Sequence, residues 1–364
     1  MDHATSASRQ GRLDSLLKHG ESKLLVVVFS QVRVPAGKFG LERLFAKTRH
    51  NCLFLNDTGC KWYLGLEHDI DAAISAAIGD VSPERVIYYG SSMGGYGALL
   101  TGLRRRDGDI HAFGPELRLG RPGYQSTVYE IDLNDQRLVD FKDLAEAYSH
   151  ELNLYFGCFD AVDAAGASAA WELLPKARRH LLRSTHANHD HLYSLNIIRR
   201  LIRTFERDPG RELASKRLSC DITAKDLRAF GDLGEAFASG AMVDPADIAK
   251  LYAFQVNPGL MRLTAEIHAK AGDLDAALET MEMTEALVGS DPVLQGLPKR
   301  WRKQLPLLRV NWLHEAGRTE MARQLLTETL ERFPADEAML TLSKQLGLGS
   351  TANKQPSVTD LPIE

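Results

Sequence analysis

An α/β domain with a mostly parallel sheet, followed by an all-helical region, is predicted by three observations. From about Leu24 to Phe205, short apolar, β-rich runs alternate with longer helical stretches, as expected of strands covered on both faces by crossover helices. After the turn signal Asp208-Pro209-Gly210 the strand pattern stops. Two related strings, AKAGDLDAALETM and HEAGRTEMARQLL, then each read as a helix, a glycine turn and a second helix.

The strands predicted in the first region are Leu24–Phe29, Cys52–Leu55, Val86–Tyr89, Ile110–Phe113, Leu152–Phe156 and His180–Ser184, each brief and apolar. Helices are predicted over Leu41–Thr48, Glu67–Ile78, Gly95–Arg105, Leu138–Ser149, Gly166–Ala177 and His191–Glu206. Ser82-Pro83 supplies a stop for the second of these. The stretch Pro115 to Asp135 breaks the rhythm with RLGRPGYQS and reads as an irregular excursion over the sheet edge. Excursions of this kind often form part of a substrate mouth. In the helical region, Gly272 and Gly317 lie 45 residues apart, against about 34 for a tetratricopeptide repeat. The two pairs are therefore either degenerate repeats or separated by an extra helix around Pro298–Leu308. The predicted organisation is a flexible N-terminus over 1–20, an α/β domain over 21–207, a helical connector over 208–250, a tetratricopeptide-like domain over 251–347 and a disordered tail over 348–364.

Composition narrows the function classes. The chain has 364 residues, 44% hydrophobic and 25% charged, and a net charge of −4, so no general electrostatic attraction to nucleic acid is expected. Its longest apolar runs, such as LLVVVF at Leu24–Phe29, are far too short to span a bilayer. The N-terminal residues have no continuous apolar core of a signal sequence, which predicts a cytoplasmic protein. Cys52, Cys60, Cys158 and Cys220 are scattered without a C-x-x-C pair, a pattern of neither a disulfide scaffold nor a zinc site.

The chemistry centres on VIYYGSSMGGYGALL, Val86 to Leu100. Gly90-Ser91-Ser92-Met93-Gly94 fits G-x-S-x-G in one register only, with Ser92 central, directly after a strand and before a helix. Such a turn strains the nucleophile's backbone and requires small residues two before and two after it, where Gly90 and Gly94 stand. Gly95 and Gly97 let the helix approach the sheet, and the Met93 N–H would face a developing oxyanion. A dinucleotide fingerprint would need glycine at position 100, where Leu100 stands, and no Gly-Lys-Ser/Thr follows for a phosphate loop.

A serine nucleophile needs a base and the base an orienting acid, and after this type of turn they follow in the order acid, then histidine, beyond later strand ends. FGCFDAVD offers Asp160 and Asp163. Asp160 is preferred because it lies nearest the strand, with Asp163 as the alternate or as a helix cap. THANHDHLYSL offers His186, His189 and His191. His189 is preferred as the base, in the loop before the helix that Leu192 and Leu195 anchor, with His191 the alternate that opens that helix. The three histidines do not reproduce H-E-x-x-H, so no metal is expected. A second oxyanion N–H is expected from Ser30 or Gln31, in the loop after LLVVVF.

The GSSMGGYGALL turn, the FGCFDAVD acid strand and the NHDHLYSL histidine loop together resemble the α/β-hydrolase superfamily over about the first 205 residues. More narrowly, VVVFSQVRVPAGKFG and NCLFLNDTGCKWYL resemble bacterial α/β-hydrolase-like proteins associated with polysaccharide or glycoconjugate biosynthesis. The resemblance implies a three-layer α/β-hydrolase fold, with a reduced core of six parallel strands because there is little room before Leu24 for two leading ones. It also implies Ser92 as nucleophile, Asp160 or Asp163 as acid, His189 as base, and Met93 with Ser30 or Gln31 as oxyanion donors. The expected activity is cofactor-free hydrolysis of a carboxylic ester through an acyl-enzyme, on an acylated glycoconjugate held by basic residues of the mouth, Arg33, Lys38, Arg118 and Arg121. Two other activities fit the same residues: acyl transfer by the same triad, or a non-catalytic scaffold whose helical region binds a protein partner.

Overall fold

The computed structural model of the chain describes residues 5–348. The predicted tail, 348–364, lies outside the described residues apart from its first position. In chain order the first region runs β1 (Thr5–Gln10), β2 (Leu13–Lys18), β3 (Leu24–Phe29), α1 (Glu42–Phe45), β4 (Asn51–Asp57), α2 (Glu67–Val81), β5 (Arg85–Ser91) and α3 (Met93–Arg105). It continues with β6 (Asp109–Phe113), α4 (Gln125–Val128), α5 (Phe141–Glu146), β7 (Leu152–Gly157), α6 (Ala161–Leu173), β8 (Arg178–Leu182), α7 (Asn188–Ser194) and α8 (Ile197–Leu201).

The strands form one sheet in the order β1-β2-β4-β3-β5-β6-β7-β8. All six strands read from the sequence are present and mutually parallel. Of the segment 1–20, expected to be flexible, the described residues 5–18 instead form a hairpin whose second strand pairs antiparallel with β4, Leu16 opposite Phe54, while residues 1–4 lie outside the described residues. The expectation of a six-stranded core is corrected accordingly. The LDSLLK of β2 does not read as a strand because Asp14 and Ser15 interrupt its apolar residues, yet Leu13, Leu16 and Leu17 are buried.

Side-chain alternation along each strand divides the core between two layers of helices. Leu25, Val27 and Phe29 of β3 face one side with Leu53, Leu55, Tyr88, Leu154 and Phe156, packed by α2, α3 and α6. Val26 and Val28 face the other with Phe54, Ile87, Tyr89 and Tyr155, packed by Phe45 of α1 and by Leu192, Ile198 and Leu201 of α7 and α8. A mostly parallel sheet between two helical layers is the three-layer α/β architecture that the sequence predicts.

The remainder is helical: α9 (Pro209–Ser215), α10 (Ala224–Ala238), α11 (Pro245–Ala249), α12 (Pro258–Lys270), α13 (Leu274–Ser290), α14 (Lys299–Glu315), α15 (Thr319–Arg332) and α16 (Glu337–Gln345). Several starts carry side-chain caps, among them Asp208, Thr223, Asp244, Asn257 and Asp273. Each of those side-chain oxygens accepts an otherwise orphaned first-turn N–H. Gly272 and Gly317, at φ 83° and 72°, separate α12 from α13 and α14 from α15, the left-handed conformation that glycine adopts without penalty. Pro298–Leu308 is the N-cap and first part of α14 rather than a separate helix.

The stretch 208–250 is not a spacer. Its α10 lies on α6, with Gly231 against Ala165 and Gly234 against Ala161, each close enough that a Cβ would fall 2.7 and 2.4 Å from the alanine Cβ. Leu227, Phe230 and Ile248 join the same core as the sheet, as do Leu260, Leu263 and Ile267 of α12. Gly259 reaches the carbonyl of Phe159, and the Asn257 amide donates to the carbonyl of Cys158 at 2.8 Å. The helical region therefore rests directly on the turn between β7 and α6.

Candidate active site

Ser92 stands between β5 and α3 at φ 55°, ψ −123°, a backbone conformation that a non-glycine residue holds only when its surroundings over-determine it. Those surroundings are visible in the contacts. The Ser92 N–H donates to the Phe113 carbonyl at 2.7 Å. A Cβ on Gly90 would lie 2.0 Å from the Gly94 carbonyl oxygen, and one on Gly94 would lie 2.2 Å from that of Phe29. Both obstacles are backbone, so neither site has room for a side chain. Strand and helix are thereby held close enough to force Ser92 outward at the C-terminal edge of the sheet.

The Ser92 Oγ lies 3.0 Å from Nε2 of His186, whose Nδ1 is 2.7 Å from Oδ1 of Asp163. The other Asp163 oxygen accepts the Gly157 N–H at 2.7 Å and the Asn188 amide at 3.1 Å. Asp163 is thus buried, at 2% exposure, with both oxygens engaged and its charge directed at one imidazole. His186 keeps 32% side-chain exposure, so its ring can meet a ligand. Gly157 makes the turn possible, since a Cβ there would lie 2.0 Å from the Thr185 carbonyl oxygen.

Two sequence assignments are corrected by this arrangement. Asp160 is the acid nearest the strand, which is the ground for preferring it, and a helix starting near Gly166 would leave Asp163 as the cap. The helix begins at Ala161, so Asp160 is its N-cap and Oδ1 accepts from the N–H groups of Val162 and Asp163 at 3.0 and 3.1 Å. Asp163, two residues inside the first turn, is then the carboxylate that reaches the histidine. His189 was preferred on the expectation that its helix begins at His191. The helix begins at Asn188, which carries His189 into the core against Phe113 and Tyr89, its Nε2 2.8 Å from the Tyr89 hydroxyl. His191, the alternate, is buried too, with Nδ1 3.0 Å from Ser184 Oγ, and burial pushes its pKa down to about 4. The loop position is taken by His186, the one histidine of the three that precedes the helix.

The electrostatics follow from the packing. Burial works against a charged His186, but the adjacent Asp163 outweighs it, with Asp160 and Glu116 adding to the same side, so the imidazole is held above its ordinary value. Burial raises the carboxyls of Asp160 and Glu116, the former also through the Asp163 charge. Glu116, 2% exposed, accepts the N–H groups of Gln125 and Ser126 at 3.0 and 3.2 Å and so fixes the start of α4. The Gln125 side-chain oxygen then comes to 3.3 Å from Ser92 Oγ. The sequence assigns neither Glu116 nor Gln125 a role beside the serine, since Glu116 stands out there only as the acid of an incomplete dinucleotide fingerprint.

The expected oxyanion donors fare differently. Met93 is the first residue of α3, so its N–H has no acceptor within the helix. The Ser30 N–H is spent on the Leu55 carbonyl at 2.9 Å, which removes Ser30 as a donor. Among the described residues no hydrogen bond uses the Gln31 N–H, which leaves Gln31 as the second candidate. Of the four basic residues expected at the mouth, three are engaged, Arg33 with the Tyr129 hydroxyl at 3.3 Å, Arg118 with Glu172 at 3.3 Å and Arg121 with Glu235 at 3.1 Å, while Lys38 makes no side-chain hydrogen bond or ion pair among the described residues. For Arg118 and Arg121 the partner is a carboxylate, which leaves their charge largely neutralised. Asp160, Asp163 and His186 offer ligand atoms within 4.8 Å of one another, but the Nδ1 of His186 and one Asp163 oxygen are bonded to each other and Asp160 caps α6, so the group is already satisfied without an ion.

No protein-family model matches the chain, and no curated protein matches it by sequence. Among solved structures it is similar to the esterase Pf2001 of Pyrococcus furiosus, with 12% identity and a TM-score of 0.41 over 59% of this chain and 92% of that one. It is also similar to the glycosylation-associated protein (Gap123) complex of Streptococcus agalactiae, with 18% identity and a TM-score of 0.38 over 56% of this chain and 47% of that one.

Proposed function

We propose that the protein is a serine hydrolase of carboxylic esters, with Ser92 as nucleophile, His186 as general base and Asp163 as the orienting acid. The observation that carries this reading is the unbroken chain Ser92 Oγ, His186 Nε2, His186 Nδ1, Asp163 Oδ1, with 3.0 and 2.7 Å links, at a strained strand-to-helix turn. With Nδ1–H donating to Asp163, Nε2 is left to accept the Ser92 proton as Oγ attacks the ester carbonyl carbon. Negative charge gathers on the carbonyl oxygen, within reach of the Met93 N–H and, from the facing loop, the Gln31 N–H. His186 then returns the proton to the departing alcohol, leaving Ser92 acylated. Attack by water, deprotonated by the same imidazole, releases the carboxylic acid and restores the serine. Asp163 remains ionised throughout and stabilises the imidazolium.

The Ser92 hydroxyl has one proton and two acceptors nearby, His186 and Gln125. Attack requires the proton on the His186 side, so a substrate that draws the Gln125 amide away also readies the nucleophile. Because Arg118 and Arg121 are paired with carboxylates, the segment from Glu116 to Ile131 contributes to substrate selection chiefly through Gln125, which reaches Ser92. The test is turnover of short-chain p-nitrophenyl esters by the wild type and by Ser92→Ala. Release of p-nitrophenol that the substitution abolishes supports the reading, whereas equal rates in the two proteins contradict it. Adding methanol or glycerol separates the two fates of the acyl-enzyme, since an acyltransferase forms the new ester in preference to the free acid.

A further inference from the structure

On the sheet face that carries α1, α7 and α8, a groove of about 910 Å³ opens between the end of α1 and the end of α8. Five cations line it: Arg43, Lys47, Arg49, Arg199 and Arg203, with no acidic residue among the lining side chains. Across the whole chain 44 basic residues are outnumbered by 48 acidic ones, so this concentration is local rather than a reflection of composition. Arg49 is paired with Glu21. Arg199 lies 4.2 Å over the Tyr193 ring and donates to the hydroxyl of the same tyrosine at 2.6 Å, so its charge is not neutralised. Among the described residues, no hydrogen bond or ion pair involves the side chains of Arg43, Lys47 or Arg203. Four uncompensated cations therefore face one concavity, an arrangement that repels itself until an anion enters.

We propose that this groove binds a small phosphorylated ligand carrying at least two anionic groups, as in a nucleoside diphosphate or free pyrophosphate. Guanidinium forks match phosphate oxygens two at a time. The volume lies within the range of small-molecule sites, which span roughly 300–1,000 Å³. Leu44 and Tyr193, the latter with Arg199 stacked on its ring, lie between the other charges as the apolar part of the lining against which a planar base could rest. The site shares no residue with Ser92, His186 and Asp163, and its occupation does not depend on the hydrolase reading.

Isothermal titration calorimetry on the full chain at physiological salt, with pyrophosphate and with ADP, tests the proposal. Saturable binding is expected, weakened roughly tenfold or more by Arg203→Ala and again by Lys47→Ala, because a hydrogen bond to a charged group is worth about 1.5–3 kcal/mol. Both side chains are exposed, so folding is expected to be unchanged, as circular dichroism checks. ADP binding tighter than pyrophosphate assigns the apolar lining to a base, and equal affinities assign the site to the phosphates alone. No heat with either probe at millimolar concentration, or binding that both substitutions leave unaltered, overturns the proposal. So does retention on an oligonucleotide or on anionic phosphatidylglycerol vesicles that neither small anion competes away.

Discussion

The turn that presents Ser92 and the turns that present Asp163 and His186 do the same mechanical job, but they were not equally readable. At the first, backbone sterics dictate the sequence: a Cβ on Gly90 or Gly94 would fall 2.0 or 2.2 Å from a carbonyl oxygen, so both positions must be glycine. At the others, the choice among neighbouring acids and histidines depends on the residue at which a helix begins. A shift of five residues at α6 exchanges Asp160 for Asp163, and a shift of three at α7 exchanges His189 for His186. Local sequence constrains a helix start weakly, because several residues in each stretch can cap or open it. A site residue imposed by close backbone approach can be read directly; one selected by helix phase needs the fold.

The largest effect that would sharpen this contrast is at the nucleophile. Ser92→Ala is expected to lower ester turnover by a factor of roughly 10³–10⁶, while Ser91→Ala leaves it within about tenfold, measured as kcat with a p-nitrophenyl ester. Next comes the pair of acids. Asp163→Asn removes the charge that orients His186 and is expected to cost about 10⁴ in kcat. Asp160→Asn keeps a competent N-cap and is expected to cost less than about tenfold. Reversal of that order would return the acid to Asp160 and break the argument from helix phase.

The elbow itself predicts a stability effect. Gly94→Ala places a methyl against the Phe29 carbonyl, which cannot rotate away, and is expected to destabilise the protein by on the order of 3 kcal/mol in urea unfolding. The smallest effect concerns pH. His186 must be neutral to accept the serine proton, and neighbouring carboxylates hold it above 6.5. Ester turnover is therefore expected to rise with pH along a limb centred above that value. Glu116→Gln removes one of those negative charges and should move the limb to lower pH, by roughly half a pH unit. A shift to higher pH would contradict the sign of the interaction.

Much of the fold was legible for another reason, the burial of apolar runs. Continuous apolar runs such as Leu24–Phe29 have no stable place except between two helical layers, and all six such runs became parallel strands. The β1–β2 hairpin escaped because both strands carry mixed sequence, TSASRQ in the edge strand β1 and LDSLLK in β2, instead of a continuous apolar run. The roles of Glu116 and Gln125 escaped because an irregular excursion has no period from which to deduce which side chain turns inward. The seating of α10 and α12 on α6 and the acid turn depends on small residues in contact, Gly231, Gly234 and Gly259, a tertiary match that neither segment announces alone.

The most direct test of the central claim, that His186 rather than His189 activates Ser92, is fluorophosphonate labelling of wild type, His186→Gln and His189→Gln, each verified as folded, with mass mapping of the adduct. The account predicts an adduct on Ser92 in the wild type, its loss in His186→Gln and its persistence in His189→Gln. Labelling that survives His186→Gln and vanishes in a folded His189→Gln would contradict it.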